Sequence, residues 1–187
     1  MRRGPIDNLG GAVPLYALGA IFLIPLTIGV VLVSSNADQD GRANQICRDL
    51  ASMYAQGVDF SRSENRSIAM RVAEGLGMDR GGGVLILSKI RVVNDSDCAQ
   101  TGGCSNRGRA VVTQRYVLGN AGLRASSFGT PARLDMSTGN VQDWANDTSA
   151  RAEEFSTKLR PGEFTYAAEC YLVTGEPGAG VYSRVMY

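Results

Sequence analysis

The hydropathy pattern begins with a long apolar run that contains no charge. No charged side chain occurs between Asp7 and Asp38, and residues 12–34 are almost wholly apolar. Their length, about 23 residues at about 1.5 Å per helical residue, matches the hydrocarbon core of a bilayer. Because backbone polar groups must be paired within lipid, the pattern predicts a transmembrane helix over residues 12–34, bent at Pro14 and Pro25.

The flanks of this run predict its topology. Arg2 and Arg3 precede it, and two aspartates follow it. The excess of positive charge on the cytoplasmic side then places residues 1–11 in the cytoplasm and residues 35–187 outside, as a single-pass protein of a bacterial inner membrane. The alternative is a cleaved secretory signal ending near Ala37, although the apolar region of such a signal normally spans only about 7–15 residues.

Two helical patterns follow the apolar run. Residues 36–56 carry apolar positions at three- and four-residue spacing, which predicts that the membrane helix continues into the soluble domain. Ser61 and Glu64 have the form of a capping box that opens a second helix. The apolar face of that helix is predicted to comprise Ile68, Ala69, Val72, Ala73 and Leu76, and its end to lie at Gly75 and Gly77.

The remainder of the chain has the composition of a small antiparallel sheet. β-branched and alternating apolar segments predict four strands, of which the first two form a hairpin. A long polar segment, residues 119–147, is predicted to be mostly loop and is followed by a short helix. The strands are expected over residues 84–93, 110–118, 164–173 and 181–187. The fold class predicted is therefore α+β: a long N-terminal transmembrane helix that continues into a small antiparallel domain.

Four cysteines lie beyond the apolar run, where disulfides can form. Cys47 falls on the buried stripe of the first soluble helix and Cys170 on the apolar face of the third strand, so both point into one core. Cys98 and Cys104 are separated by five residues of a polar loop. These positions predict the pairs Cys47–Cys170 and Cys98–Cys104; metal binding by the two loop thiols is the alternative.

Composition narrows the function classes. The 187 residues include 19 basic and 18 acidic side chains, a net charge of +1, and no histidine. The absence of a basic patch disfavours a nucleic-acid partner, and the absence of histidine removes the commonest general base and metal ligand. We therefore predict no enzymatic activity, no catalytic residue, no cofactor and no metal.

The polar clusters that could contradict this prediction are few. Asp95 and Asp97 stand in the loop beside Cys98, and Glu153 and Glu154 are adjacent, so both pairs are interpreted as solvated surface. Asp143, Trp144, Asn146 and Asp147 could form a calcium-like oxygen cluster, but their spacing matches no known calcium loop. Trp144, the only tryptophan, is either a core residue or an interface anchor.

Three stretches, residues 46–61, 81–89 and 117–120, resemble the TadE-like proteins of tight-adherence (Flp-type) pilus systems. The N-terminal helix, the four cysteines and the small sheet are similar to those of pilin-like proteins. The resemblance implies a membrane-anchored, non-enzymatic minor pilin that acts in pilus assembly and surface adhesion, with other pilin-like or pilus-assembly proteins as partners. Pro5 follows the Arg-Gly pair, which departs from the family's processing site.

Small residues in the apolar run agree with such a role. Ala17, Gly19, Ala20 and Gly29 would let a second helix approach closely within the lipid. The alternative function is an extracytoplasmic, membrane-tethered binding or adhesin domain unrelated to pili, whose ligand site lies in the loop of residues 119–147.

Overall fold

Four antiparallel strands form the centre of the folded domain. The computed structural model describes residues 41–74, 81–101, 103–173 and 180–187, all of which belong to the unit of residues 41–187. The strands lie in the order β2-β1-β3-β4, so the first hairpin is extended by the two C-terminal strands. Their bounds are β1 (Gly83–Val92), β2 (Ala110–Gly119), β3 (Phe164–Val173) and β4 (Gly180–Met186). All four lie within one residue of the predicted strands.

Helices cover one face of this sheet. Residues 41–55 are helical and form α1, and α2 spans Ser63–Glu74. In α1 the buried positions recur every three or four residues, as in any helix with one face on a core. The remaining helices are short: α3 (Asp95–Ala99) and the 3₁₀ turns Thr148–Ala150 and Glu153–Phe155, which replace the predicted short helix.

The predicted fold class is wrong in its long membrane-spanning helix. Within the described ranges, no helix has the length and apolarity needed to cross a bilayer. The helix that packs on the sheet, α1, is instead amphipathic: Cys47 is buried, while Arg48 and Asp49 beside it are exposed. Its apolar stripe covers the sheet and its other side meets water. Residues 1–11 and 12–34, with the helix and topology predicted for them, lie outside the described residues.

The start and the apolar face of α2 also differ from the prediction. The helix begins at Ser63. Before it, the Asp59 carboxylate accepts a hydrogen bond from the Ser61 amide at 2.9 Å. Ala69 and Ala73 are buried, whereas Ile68 and Val72 remain 48% and 39% exposed. The contact face is therefore narrower than the apolar stripe. Leu76, Gly75 and Gly77 lie outside the described residues.

The sheet separates two cores. On the helix-covered face, Leu85 and Leu87 of β1 pack with α1, α2 and the third strand. On the opposite face, Ile90 and Val112 pack against Phe128 and residues near Phe155. The segment between β2 and β3 is mostly irregular, as predicted, and covers this second face as well as the outer edge of β2.

Two disulfides fix the ends of this arrangement. Cys47–Cys170 joins α1 to β3 across 123 residues, and Cys98–Cys104 closes the loop after β1 across 6 residues. Their Cα–Cα distances, 5.9 and 5.2 Å, lie in the usual range for disulfides. These are the two pairings expected from the sequence.

Candidate functional site

A surface hollow lies where the helices stop covering the sheet. It has a volume of about 270 Å³ and is lined by residues of β1, of β2 and of the loop that follows β2. We call it the cationic hollow; its lining residues are Lys89, Arg91, Thr113, Gln114, Asn140, Val141 and Trp144. Alternation along β1 continues the face of Leu85 and Leu87 to Lys89 and Arg91. The register shift lies on β2, where Thr113 has no partner on β1, so both Thr113 and Gln114 line the hollow.

Lys89 is held by aromatic rings of β3. Its Nζ lies 4.6 Å from the ring centroid of Phe164 and 5.5 Å from that of Tyr166. Both distances allow attraction between the ammonium and the electron-rich ring faces. Phe164 is 52% exposed and Lys89 is half-buried, so the rings position the ammonium at the surface.

Arg91 supplies the second cation. Its Nη2 lies 3.0 Å from Oδ1 of Asp97, and Asp97 also accepts a bond from the Asn94 amide in the capping box that begins α3. The Arg91 Nε is buried and has no hydrogen-bond partner among the described residues. The guanidinium therefore retains unused donor capacity. Asp95, predicted with Asp97 as surface, is exposed beside Arg107.

Amides and hydroxyls complete the lining. The Gln114 side chain accepts from the Tyr54 hydroxyl at 2.8 Å and donates to Oδ1 of Asn140 at 3.1 Å. Thr113 donates to the Lys89 carbonyl at 3.2 Å. Trp144 is half-buried, packs against two clusters of buried residues and lines the hollow, so it is partly a core residue. Its role as an interface anchor stays a prediction.

An aromatic hollow of about 160 Å³ adjoins the cationic hollow through Gln114. Tyr54 stands at its centre, with the rings of Tyr116 and Tyr166 at 5.7 and 4.9 Å in edge-to-face contact. Burial raises the pKa of Tyr54 above its usual value, and burial together with the charge of Asp59 raises the pKa of Tyr116 to about 12. Both hydroxyls are neutral at physiological pH and act as hydrogen-bonding groups.

A buried charged network on the opposite face was not foreseen from the sequence. Arg115 of β2 donates to Ser88 Oγ at 3.0 Å and to the carbonyls of Phe128 and Gly129 at 2.7 and 2.9 Å. Burial lowers the pKa of Arg115 to about 10, while the charge of Glu169 opposes this shift. The guanidinium therefore stays charged and attaches the loop to the sheet.

Glu169 of β3 holds the same loop from the other side. Its carboxylate accepts bonds from Ser126 Oγ, from the amide and hydroxyl of Ser127 at 2.9 and 2.7 Å, and from the Tyr182 hydroxyl at 2.7 Å. The available signal was a charge in mid-strand: Glu169 stands between Ala168 and Cys170 in a segment with apolar residues on both faces.

The acidic positions considered from the sequence have structural partners. Glu153 and Glu154 pair with Arg109 and Arg184 at 3.4 and 3.0 Å. Asp147 caps a 3₁₀ turn through the Ser149 amide. In the parts of the chain that are described, no three acidic, cysteine or histidine side chains are grouped as metal ligands.

The predicted helix-packing residues Ala17, Gly19, Ala20 and Gly29 lie outside the described residues. Comparison of the chain with protein-family models, with curated proteins and with solved structures finds no match. The resemblance to TadE-like proteins stays an expectation from the sequence.

Proposed function

We propose that this chain is a non-enzymatic component of a Tad/Flp-type pilus or a related secretion machine, which works by surface contacts outside the cytoplasm in assembly and adhesion. The supporting observation is the disulfide Cys47–Cys170. Both sulfurs belong to buried residues, and the bridge ties the first described helix to the central sheet. Such bridges persist in oxidising compartments, where a surface structure is assembled.

The cationic hollow is the contact surface in this proposal. Lys89 and Arg91 supply positive charge, Asn140 and Gln114 supply amides, and Trp144 supplies an aromatic edge. Concave sites with a few convergent polar groups are common places for recognition. The topology predicted from residues 12–34 would deliver this surface to the outside and stays a prediction of the sequence.

An adhesin or other tethered binding domain unrelated to pili is the second candidate. The observation that favours it is the contribution of Asn140, Val141 and Trp144, all from the loop predicted to carry a ligand site, to the cationic hollow. The two candidates share the surface and differ in the partner: a pilus component contacts other assembly proteins, and an adhesin contacts a ligand outside the cell.

A strain of the source bacterium that lacks the gene tests the proposal. We expect loss of surface fibres, restoration by the wild-type chain, and co-purification of pilus proteins with a tagged chain. Lys89→Glu should restore fewer fibres, whereas Lys158→Glu should act like wild type. Lys158 is a matched control because it is the only other lysine and its Nζ also lies over a ring, 5.5 Å from the Phe155 centroid.

Normal fibres in the deletion strain would contradict the pilus proposal. If adherence to surfaces is then lost in the same strain, the second candidate is supported instead. If both properties are unchanged, both candidates are wrong.

A further inference from the structure

The charge of the cationic hollow selects its ligand. Both charged residues in the lining, Lys89 and Arg91, are cations. Asp97 contacts Arg91 and offsets one of these charges, but among the described residues the Lys89 ammonium is held only by the rings of Phe164 and Tyr166. An ammonium that faces rings and solvent keeps its three donors for a ligand. The hollow therefore favours an anion that is rich in hydrogen-bond acceptors.

The remaining lining favours a sugar over a protein side chain. Protein hot spots are usually aromatic or arginine anchors that fill well-packed, desolvated pockets. Here the lining consists mainly of a hydroxyl, two amides and two cations, with Trp144 at the side. Asn140 accepts from Gln114 through Oδ1, and its Nδ2 has no hydrogen-bond partner among the described residues, so an amide donor is free for a ligand hydroxyl.

We propose that the cationic hollow binds a carboxylate-bearing sugar unit of an acidic polysaccharide, with the carboxylate at Lys89 and Arg91. A sugar hydroxyl meets the amide of Asn140, which Gln114 holds in place, and an apolar ring face lies against Trp144. A volume of about 270 Å³ is below the usual range for drug-sized ligands and suits one short segment of a polymer. This inference deepens the proposed function, since it names the ligand through which the surface adheres.

Titration of the purified chain of residues 1–187 with trigalacturonate tests the inference, with binding followed by Trp144 fluorescence and calorimetry. Trp144 is the only tryptophan, so a fluorescence change reports on the hollow itself. We expect saturable binding that weakens at least about tenfold when the carboxylates are methyl-esterified, because a charge-assisted contact is lost. Binding should also weaken as salt is raised.

Two variants locate the site. Lys89→Gln should weaken trigalacturonate binding at least about tenfold, and Lys158→Gln should leave it within about twofold of wild type. Circular dichroism of both variants verifies folding. Bound trigalacturonate should also protect Lys89, and not Lys158, from acetylation, which gives a readout on the wild-type chain even if Lys89→Gln fails to fold.

Three results would overturn the inference: no saturable binding of trigalacturonate, equal binding of its methyl ester, or equal protection of the two lysines. Tighter binding of a hexaglutamate peptide than of trigalacturonate would also overturn it and would indicate a protein partner. Failure of these titrations leaves the fibre and co-purification tests unaffected, so the two proposals fail separately.

Discussion

Two buried charges of opposite sign hold the loop over the second face of the sheet. Arg115 donates to carbonyls of the loop and Glu169 accepts from its amide and hydroxyls, so each charge is compensated by fixed dipoles. Burial favours the neutral acid and raises the pKa of Glu169, but hydrogen bonds from Ser126, Tyr182 and Ser127 outweigh burial and leave the pKa lowered. Glu169 is therefore ionised at neutral pH.

Glu169→Gln should destabilise the domain. The glutamine amide cannot form the charge-assisted hydrogen bonds, and its NH2 group would face hydroxyl groups that donate to the wild-type carboxylate. The Arg115 charge is also less compensated. We expect a loss of about 2–4 kcal/mol in the free energy of unfolding. Urea denaturation at neutral pH measures it. Glu153→Gln is the control: Glu153 forms an exposed pair with Arg109 and should cost less than about 1 kcal/mol. Equal effects would contradict the structural role of the buried carboxylate.

The same group predicts a pH dependence. Because the pKa of Glu169 is lower in the folded protein than its ordinary 4.5, its contribution is complete above that value and is lost as pH falls through the folded pKa. The difference in unfolding free energy between wild type and Glu169→Gln should therefore shrink as pH falls below about 4.5. A difference that is constant down to acid pH would contradict this assignment.

At the scale of elements, the strands and helices that follow from the order of neighbouring residues along the chain could be predicted from the sequence. The alternation from Phe164 to Val173 identifies β3 and its two faces, because side chains alternate across a strand whatever lies opposite. The buried face of α2 could be predicted less well. Ile68 and Val72 are as apolar as core residues, but α2 packs through Ala69 and Ala73 and leaves Ile68 and Val72 exposed.

The loop over the second face depends on Gly129, which packs closely against the backbone of Arg151. Gly129 has φ +67°, and a Cβ there would lie 2.5 Å from the Arg151 carbonyl oxygen. Gly108 has a similar φ of +69° with no atom within 4 Å of that Cβ position. Gly108→Ala should therefore cost about 1–2 kcal/mol for its backbone conformation alone. Gly129→Ala should cost about 3 kcal/mol or more, because the strand-covering loop must move.

Thermal or urea unfolding of the two glycine variants provides the measurement. Since the backbone conformations are nearly the same, the difference between the variants isolates the contact with the backbone of residues 149–151. Equal losses for Gly129→Ala and Gly108→Ala would show that the loop is not seated against that carbonyl.

The two disulfides should differ in their effect on stability. In the chain-entropy description, a bridge across 123 residues stabilises by about 4–5 kcal/mol and one across 6 residues by about 2 kcal/mol. Replacing Cys47 and Cys170 together by alanine should thus cost more than the same change at Cys98 and Cys104, as measured by urea denaturation. Peptide mapping of the non-reduced wild type is the control, and a bridge between the two pairs would contradict both assignments.

At the scale of the whole molecule, the candidate site is assembled from distant segments. Lys89, Gln114, Asn140 and Phe164 stand in four separate parts of the chain, and antiparallel pairing brings them to one end of the sheet. The sequence pattern places each of them in a predicted strand or loop and marks none of them as a site residue. The strand positions were predictable, but the hollow also depends on the register shift after Lys89 and on the path of the loop, which no local pattern encodes.

The location of the whole molecule is tested by the state of its thiols in cells. If the domain is delivered outside the cytoplasm, Cys47–Cys170 and Cys98–Cys104 form there, and a maleimide added to cells lysed in denaturant without reductant should modify none of the four cysteines. A chain that begins at residue 41 should stay in the reducing cytoplasm and be modified at all four, because the chain segment that would export it is missing. After reduction both chains should gain the same mass per thiol, which serves as the control. Full modification of the unreduced complete chain would show that the bridges do not form in cells, and the extracytoplasmic location would then be wrong.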